Sequence, residues 1–176
     1  GSGAPSAPGG SLVTISPESQ AAGTMVRLSH AFAEPSIRDQ HVQGWRYQLS
    51  LFANAVAKEA FAAVDSVVDQ WFAAWSEPDA AIRDAAVRRI VSPRIAMRDQ
   101  FSAIDGLPDL NEHLAAVHRF MPGMRMTREG PVRQCQGMVL AEWIARSVEG
   151  QERGRGINVF TLTPDGRIDG VTGFWG

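Results

Sequence analysis

The sequence has little cysteine and no long apolar run. Its 176 residues include one cysteine, Cys135, which excludes an intrachain disulfide and a metal site built on a cysteine cluster. No segment approaches the roughly 18 continuous apolar residues of a membrane-spanning helix, and no charged-then-apolar leader opens the sequence. We therefore expect no membrane partner and a cytoplasmic location.

A strong charge imbalance and the common catalytic motifs are also missing. The 17 basic and 19 acidic residues are mixed along the chain, so nothing marks a nucleic-acid-binding protein. There is no glycine-rich phosphate loop, no GxSxG motif and no HExxH motif, and the four histidines do not have metal-ligand spacing. We expect no metal and no cofactor.

Enough apolar sequence remains for a core. Hydrophobic residues make up 44 % of the chain, which fits one domain, or one domain plus a fragment of another. Residues 1–10 (GSGAPSAPGG) contain only Gly, Ser, Ala and Pro, and we interpret them as a tag remnant or linker.

The first half of the chain predicts a hairpin and a long helical region. Residues 11–16 and 24–32 alternate as strands on either side of a turn-rich segment, which favours a β-hairpin. Residues 36–75 contain no proline and one glycine, Gly44, and their apolar residues follow helical spacing. They predict one long helix, or two helices joined near residues 58–61.

The second half predicts an α+β fold. Helices are expected over residues 79–91 and 109–120, with a strand over 94–101 between them. We expect three helices packed in a strongly curved antiparallel sheet, a cone with an internal pocket, preceded by the hairpin and the long helix. The further strands predicted are 124–129, 132–136, 138–148, 155–163 and 167–175, with a turn at Gly130–Pro131.

Asp99 is the first candidate for chemistry. In the predicted strand it alternates with Ile95, Met97 and Phe101 on one apolar face. A carboxylate there is costly unless it is paired or hydrogen-bonded, and an apolar lining is also where a general acid or base is found. Asp99 is therefore either a proton-transfer group in a pocket or an aspartate paired with an arginine or with backbone N–H groups.

Two further polar residues lie on predicted apolar faces. Asn158 is either part of the pocket or a structural hydrogen-bonding group. His118 lies four residues after Leu114, and could form a proton-transfer dyad with Asp99 or be a satisfied core or rim histidine. His113 is expected to lie on the flank of its helix, in solvent.

Aromatic residues complete the predicted pocket. At helix and strand spacing they can line a flat apolar cavity or simply belong to the core. The candidates for the cavity wall are Trp71, Phe101, Trp143, Phe174 and Trp175.

Residues 11–58 resemble a known fold only in part. The run LVTI…GTMVRLSHAF…HVQGWRYQLSLFANAV, with His30 and Gly44–Trp45, is similar to the C-terminal end of the helix-grip (SRPBCC, START-like) proteins of the chaperone-ATPase-activator type. Most of that fold's sheet is absent here. The resemblance implies a long helix with an exposed apolar face, which would dock on the second module or on another copy of the chain.

Residues 59–176 resemble the nuclear transport factor 2-like superfamily, which includes ketosteroid isomerase and the SnoaL-type polyketide cyclases. The matching features, in order, are the WFAAW helix, the RDQF strand, DGLPDLNEHL, the Met-Pro-Gly turn and the ending NVFTLTPDGRIDGVTGFW. The resemblance places Asp99 where ketosteroid isomerases have their catalytic base. It places Trp71 at the position of the oxyanion-hole tyrosine and Asn158 at that of the oxyanion-hole carboxylic acid.

The resemblance implies two functions. One is a cofactor-independent isomerase, cyclase or lyase that acts on a small, mostly apolar carbonyl or hydroxyl compound through Asp99. The other is a non-catalytic ligand-binding or dimerisation module. A homodimer is expected for both.

Overall fold

The computed structural model describes residues 10–21 and 23–176. Contacts between Cα atoms divide the chain into two units, one ending at Ala53 and one running from Asn54 to Gly176. Residues 1–9, for which the sequence predicts a linker or tag remnant, lie outside the described residues. No helix among the described residues is long and apolar enough to cross a membrane.

The first unit contains a hairpin and most of a helix. Strands β1 (Ser11–Gln20) and β2 (Gly23–Phe32) pair antiparallel, which confirms the predicted hairpin, and both are longer than its two apolar runs. Helix α1 (Pro35–Ala60) follows, and the boundary between the units falls inside it. His30 accepts a 2.8 Å hydrogen bond at Nδ1 from the indole of Trp45.

The second unit contains three further helices. Helix α2 (Val64–Ser76) is separate from α1, so the two-helix interpretation of the long helical region is confirmed. Helix α3 (Ala80–Ile90) is capped by Asp79, whose Oδ1 accepts from the Ile82 N–H at 3.0 Å. Helix α4 (Leu107–Phe120) has a proline in its first turn.

The sheet of the second unit has six strands in the order β4-β3-β8-β7-β6-β5. Their ranges are β3 (Val91–Arg98), β4 (Ala103–Asp105), β5 (Arg125–Cys135), β6 (Met138–Arg146), β7 (Glu152–Leu162) and β8 (Ile168–Trp175). Strands β5 to β8 form the predicted antiparallel meander. The expectation of a wholly antiparallel sheet is wrong, because β3 and β8 run parallel.

Two local predictions also need correction. The turn expected at Gly130–Pro131 lies inside the single strand β5, at a register shift between Glu129 and Arg133. Because β5 is at the edge of the sheet, a proline beside a bulge removes no essential ladder hydrogen bond. Strand β4 was not among the predicted strands, because three residues are too few for its alternation to be recognised.

The helices pack on the sheet to form one core in this unit. Helix α2 contacts β5 and α3, and α4 contacts β3. The largest fully buried side chains come from helices and strands alike: Trp71, Phe72, Leu110, Leu114, Ile95, Trp143 and Phe160. The result is a mixed α+β fold in which helices cover a curved sheet, with a cavity left between them.

Candidate functional site

The second unit contains a cavity of about 330 Å³ between helices α2 and α4 and the sheet. Its wall is mostly apolar and aromatic, and it includes four of the six methionines of the chain. Flexible methionine side chains adapt to ligands of irregular shape. The lining residues are Trp75, Met97, Asp99, Phe101, His113, Val117, Met121, Met124, Met126, Trp143, Ala145, Asn158 and Trp175.

Asp99 follows directly after β3, in a turn rather than in the strand predicted over 94–101. Its Oδ1 accepts from the N–H of Phe101 at 2.8 Å, and from the N–H and the hydroxyl of Ser102 at 2.7 and 2.8 Å. Such a turn is what an aspartate forms when its side chain bonds the backbone a few residues later. These bonds fix the position of the carboxylate through one of its two oxygens.

The second oxygen, Oδ2, has one weak partner. The indole Nε1 of Trp175 lies 3.4 Å from it. Among the described residues no arginine or lysine forms an ion pair with Asp99, since neighbouring Arg98 instead binds Asp105 at 2.7 Å. Of the two interpretations of Asp99, hydrogen bonding to backbone N–H groups describes Oδ1, whereas Oδ2 keeps acceptor capacity beside the cavity.

Asn158 lies beside Asp99 across the sheet. It is opposite Gly173 in the pairing of β7 with β8, and a Cβ added at Gly173 would lie 3.2 Å from the Asp99 Cβ and 3.3 Å from the Asn158 Oδ1. The Trp143 indole donates to that Oδ1 at 3.0 Å. Because the oxygen is used by Trp143, the amide NH₂ is the group that Asn158 can offer to a bound molecule.

Of the two histidines on α4, the cavity wall includes His113 rather than the predicted His118. His113 lies edge-on to Trp75, with ring centroids 5.7 Å apart. Burial lowers its pKa, while the charges of Asp99 and, less strongly, Asp109 raise it. The expected position of His113 in solvent is therefore wrong. Its spacing, three residues after Leu110 and four before Val117, was the available signal.

His118 lies beside the end of α2 instead. Burial lowers its pKa first and the positive charge of Arg83 second, while Glu77 and a backbone hydrogen bond at Trp75 raise it. Its buried Nε2 has no hydrogen-bond partner among the described residues. The expected dyad with Asp99 needs correction, because His113 and Val117 share the side of α4 that lines the cavity and His118 points to a different side of the helix.

Three aromatic rings meet next to Asp99. Trp175 is nearly perpendicular to Trp143 and to Phe101, with centroid distances of 4.8 and 5.0 Å. Phe101 and Trp175 are partly exposed, so they stand at the mouth of the cavity. Phe174 is exposed and is not among the lining residues, because alternate residues of β8 face opposite sides of the sheet.

Trp71 needs a correction of the same kind. It is fully buried against Trp75 and Phe160 and lies in the core rather than on the cavity wall. Trp75, one turn further along α2, is the lining residue. The aromatic run around Trp71 indicated an inward helix face correctly, but it did not indicate which turn reaches the cavity.

Two glycines on β7 make room for the indoles. A Cβ on Gly154 would lie 2.9 Å from the ring of Trp175, and one on Gly156 would lie 2.8 Å from the ring of Trp143. Any larger residue at either glycine would clash with an indole, so the two glycines leave the space that the rings occupy. The sequence contains this signal as the GRGIN segment, residues 154–158.

Among the described residues no group of three or more His, Cys, Asp or Glu could hold a metal ion. The polar groups at the cavity are instead one carboxylate, one amide and one imidazole. Such a set can accept or donate protons and hydrogen bonds to a small molecule.

Comparison with known proteins identifies the fold. No protein-family model matches the chain, and no curated protein matches it. Among solved structures, a SnoaL-like family protein from Agrobacterium tumefaciens is 24 % identical, with a TM-score of 0.61, over 63 % of this chain and 95 % of that one. An NTF2-like protein of unknown function from Exiguobacterium is 16 % identical, with a TM-score of 0.52, over 62 % and 98 %.

An enzyme is among the similar structures. SalBIII, an epoxide hydrolase/cyclase-like enzyme of pyran ring formation in the polyether salinomycin, is 21 % identical, with a TM-score of 0.51, over 65 % of this chain and 91 % of that one. At these identities the likeness establishes the fold alone. The resemblance of residues 11–58 to helix-grip proteins stays a prediction. The chain therefore has, over about two thirds of its length, the fold of the SnoaL-like and NTF2-like proteins.

Proposed function

We propose that the cavity beside Asp99 binds a small, mostly apolar compound that carries a carbonyl or hydroxyl oxygen. The observation that carries this proposal is the convergence of Asp99, His113 and Asn158 on one apolar cavity of about 330 Å³. Ligand sites in proteins combine an apolar wall with a few placed polar groups in this way.

The proposed chemistry is a proton shift without a cofactor. Oδ2 of Asp99 would take a proton from the carbon next to the carbonyl, and the electron pair of the broken C–H bond would move onto the oxygen. Returning that proton to another atom of the ligand completes an isomerase-, cyclase- or lyase-type step. This fold also carries enzymes such as SalBIII, which makes acid–base chemistry in its cavity a reasonable class.

Two groups would stabilise the charge on the oxygen. The NH₂ group of Asn158 is one, since its own oxygen is used by Trp143. His113 is the other: because burial lowers its pKa, the ring is neutral near pH 7 and one N–H remains to donate.

An exchange assay tests this chemistry without knowledge of the natural substrate. The protein is mixed with 4-phenyl-2-butanone in D₂O, and loss of the signals of the protons next to the carbonyl is followed by ¹H NMR. Asp99→Asn should slow the catalysed exchange by about 10²- to 10⁴-fold, with little change in ketone binding. Asp105→Asn is the matched control, because it removes the same charge outside the cavity. Exchange that is catalysed equally by Asp99→Asn would contradict the proposal.

A non-catalytic ligand-binding module is the second candidate. The observation in its favour is the set of three donors already on Oδ1 of Asp99, which is typical of a structural turn. This candidate predicts that the ketone binds in the cavity without exchange above that of the solvent.

We also propose that the chain forms a homodimer. Leu49, Phe52 and Val56 on α1 are all exposed, and apolar side chains in such a series are usually covered in the functional assembly. Light scattering at micromolar concentration should give twice the chain mass. A monomer mass would remove the proposal.

A further inference from the structure

The cavity carries negative charge. Asp99 is the one carboxylate among its described lining residues, and none of them is a lysine or an arginine. His113 does not offset this charge near neutral pH, because burial lowers its pKa. A carboxylate in an apolar surrounding attracts cations and repels anions more strongly than one in water. The electrostatics of the cavity therefore disfavour an anionic ligand.

The hydrogen bonds of Asp99 also favour a ligand with a donor group, and an ammonium group above all. Oδ1 accepts from three donors, whereas the one donor to Oδ2 among the described residues is the indole N–H of Trp175 at 3.4 Å. A ligand group placed at Oδ2 must therefore donate. A carbonyl oxygen has no proton to give and would set an acceptor against the carboxylate, whereas an ammonium group supplies both charge and donors.

The aromatic rings beside Asp99 also favour an ammonium group. Trp175, Trp143 and Phe101 meet at nearly right angles beside Asp99. The two indole N–H groups are directed to Asp99 and Asn158, so their polar edges face the protein's own acceptors. A cation within about 6 Å of an aromatic face is attracted by the ring. Because Trp175 and Phe101 are partly exposed, an ammonium there keeps part of its hydration.

We infer that the ligand of this cavity carries a protonated amine, held between Oδ2 of Asp99 and the rings of Trp175, Trp143 and Phe101. The inference rests on the proposed ligand-binding role of the cavity and not on catalysis at Asp99. It changes the group expected at Asp99 from a neutral oxygen function to a basic amino group, on a ligand that is otherwise apolar.

Three probes of nearly equal size separate the possibilities. They are 2-phenylethylamine, 2-phenylethanol and phenylacetate, which present a cation, a neutral donor and an anion on the same ring. Isothermal titration calorimetry at pH 7 should show the amine binding about tenfold more tightly than the alcohol, as for a hydrogen bond to a charged group. Phenylacetate should bind least. Added salt should weaken binding of the amine but not of the alcohol.

Variants test which residues cause the preference for the amine. Asp99→Asn should abolish the roughly tenfold preference for the amine over the alcohol, and Asp105→Asn should keep that preference. Phe101→Leu and Trp175→Leu should each weaken amine binding by about two- to fivefold, the range for a partly exposed cation–π contact. Phe101 is largely exposed, so that variant should fold normally.

The outcomes separate this inference from the proposed function. If the alcohol binds as tightly as the amine, the amine inference is overturned and the cavity remains a site for neutral compounds. If none of the three probes binds, both are overturned. An amine preference that survives Asp99→Asn would also overturn the inference, because the preference would then lie elsewhere.

Discussion

The two units of this chain differ in how far their apolar side chains are buried. In the unit from Asn54 onward, residues such as Leu110 and Trp71 are fully buried. In the unit up to Ala53, Leu12, Ile15 and Leu51 are exposed, although they lie in well-defined strands and a helix. Hydrogen-bonded secondary structure thus forms in both, but among the described residues the buried hydrophobic core lies in the second unit. The comparison shows that a regular element is not by itself evidence of packing, because burial supplies most of the stability.

The same substitution in both units tests this contrast most strongly. Leu110→Ala removes a fully buried side chain and should lower the free energy of unfolding by about 2–5 kcal/mol. Leu51→Ala, on the exposed face of α1, should change it by less than about 0.5 kcal/mol. Urea denaturation followed by circular dichroism measures both. Leu51 lies on the other side of α1 from Leu49, Phe52 and Val56, so the proposed dimer does not require it to be covered. A large loss for Leu51→Ala would contradict the contrast between the two units.

Glycine substitutions should have opposite signs in the two units. A Cβ on Gly156 would clash with the Phe174 carbonyl oxygen, so Gly156→Ala should destabilise by about 1–3 kcal/mol. No atom of the described residues lies within 4 Å of a Cβ at Gly44, inside α1. Gly44→Ala should therefore stabilise by about 0.5–1 kcal/mol, the helix preference for alanine. Thermal unfolding shows whether each variant is more or less stable than the original protein. A change in the same direction for both would contradict the predicted difference between the two units.

A smaller effect on stability is expected from His113 on α4, because its ring is only partly buried. Burial lowers the pKa of His113 below its usual 6.5. The unfolded chain then binds more protons between the lowered pKa and 6.5, so the free energy of unfolding should fall as the pH drops through this window and stay constant above it. His113→Gln should reduce the difference in stability between pH 7.5 and 5.5. An unchanged difference would contradict the burial of this ring.

The charge of Asp99 should be measurable at the same ring. Because that charge raises the pKa of His113, Asp99→Asn should lower the pKa further. NMR titration of the His113 ring protons gives the value directly. His118 is the internal control, since the charges that act on it are those of Arg83 and Glu77. If the pKa of His113 does not change in Asp99→Asn, the charge of Asp99 does not act on His113, which would contradict this account of the cavity.

The sequence predicted the strongly periodic elements and not the irregular ones. The hairpin, the break between α1 and α2, and the meander from β5 to β8 follow from apolar spacing and turn residues. The parallel pairing of β3 with β8 was missed, since it joins distant segments and leaves no local pattern. Strand β4 was missed because three residues are too few to show alternation.

For the site, the sequence predicted several lining residues but not which helix turn or which strand face reaches the cavity. Asp99, Phe101, Trp143, Asn158 and Trp175 were predicted as cavity residues, and all five line it. Trp71, His118 and Phe174 do not, because each lies one turn or one residue from the position that reaches the cavity. Their neighbours Trp75, Val117 and Trp175 do. The space that Gly154 and Gly156 leave for the indoles appears only when strands are paired.

The central claim is that the cavity beside Asp99 binds a small apolar molecule. The indole N–H signals of the five tryptophans of the chain can show where such a molecule binds. Three of them line the cavity, Trp75, Trp143 and Trp175, while Trp45 lies in the first unit. Titration with 2-phenylethanol is followed through the indole N–H signals in ¹⁵N-labelled protein. We predict saturable shifts of the three lining tryptophans with the Trp45 signal unchanged. No saturable shift, or shifts of Trp45 equal to the others, would contradict a specific site in this cavity.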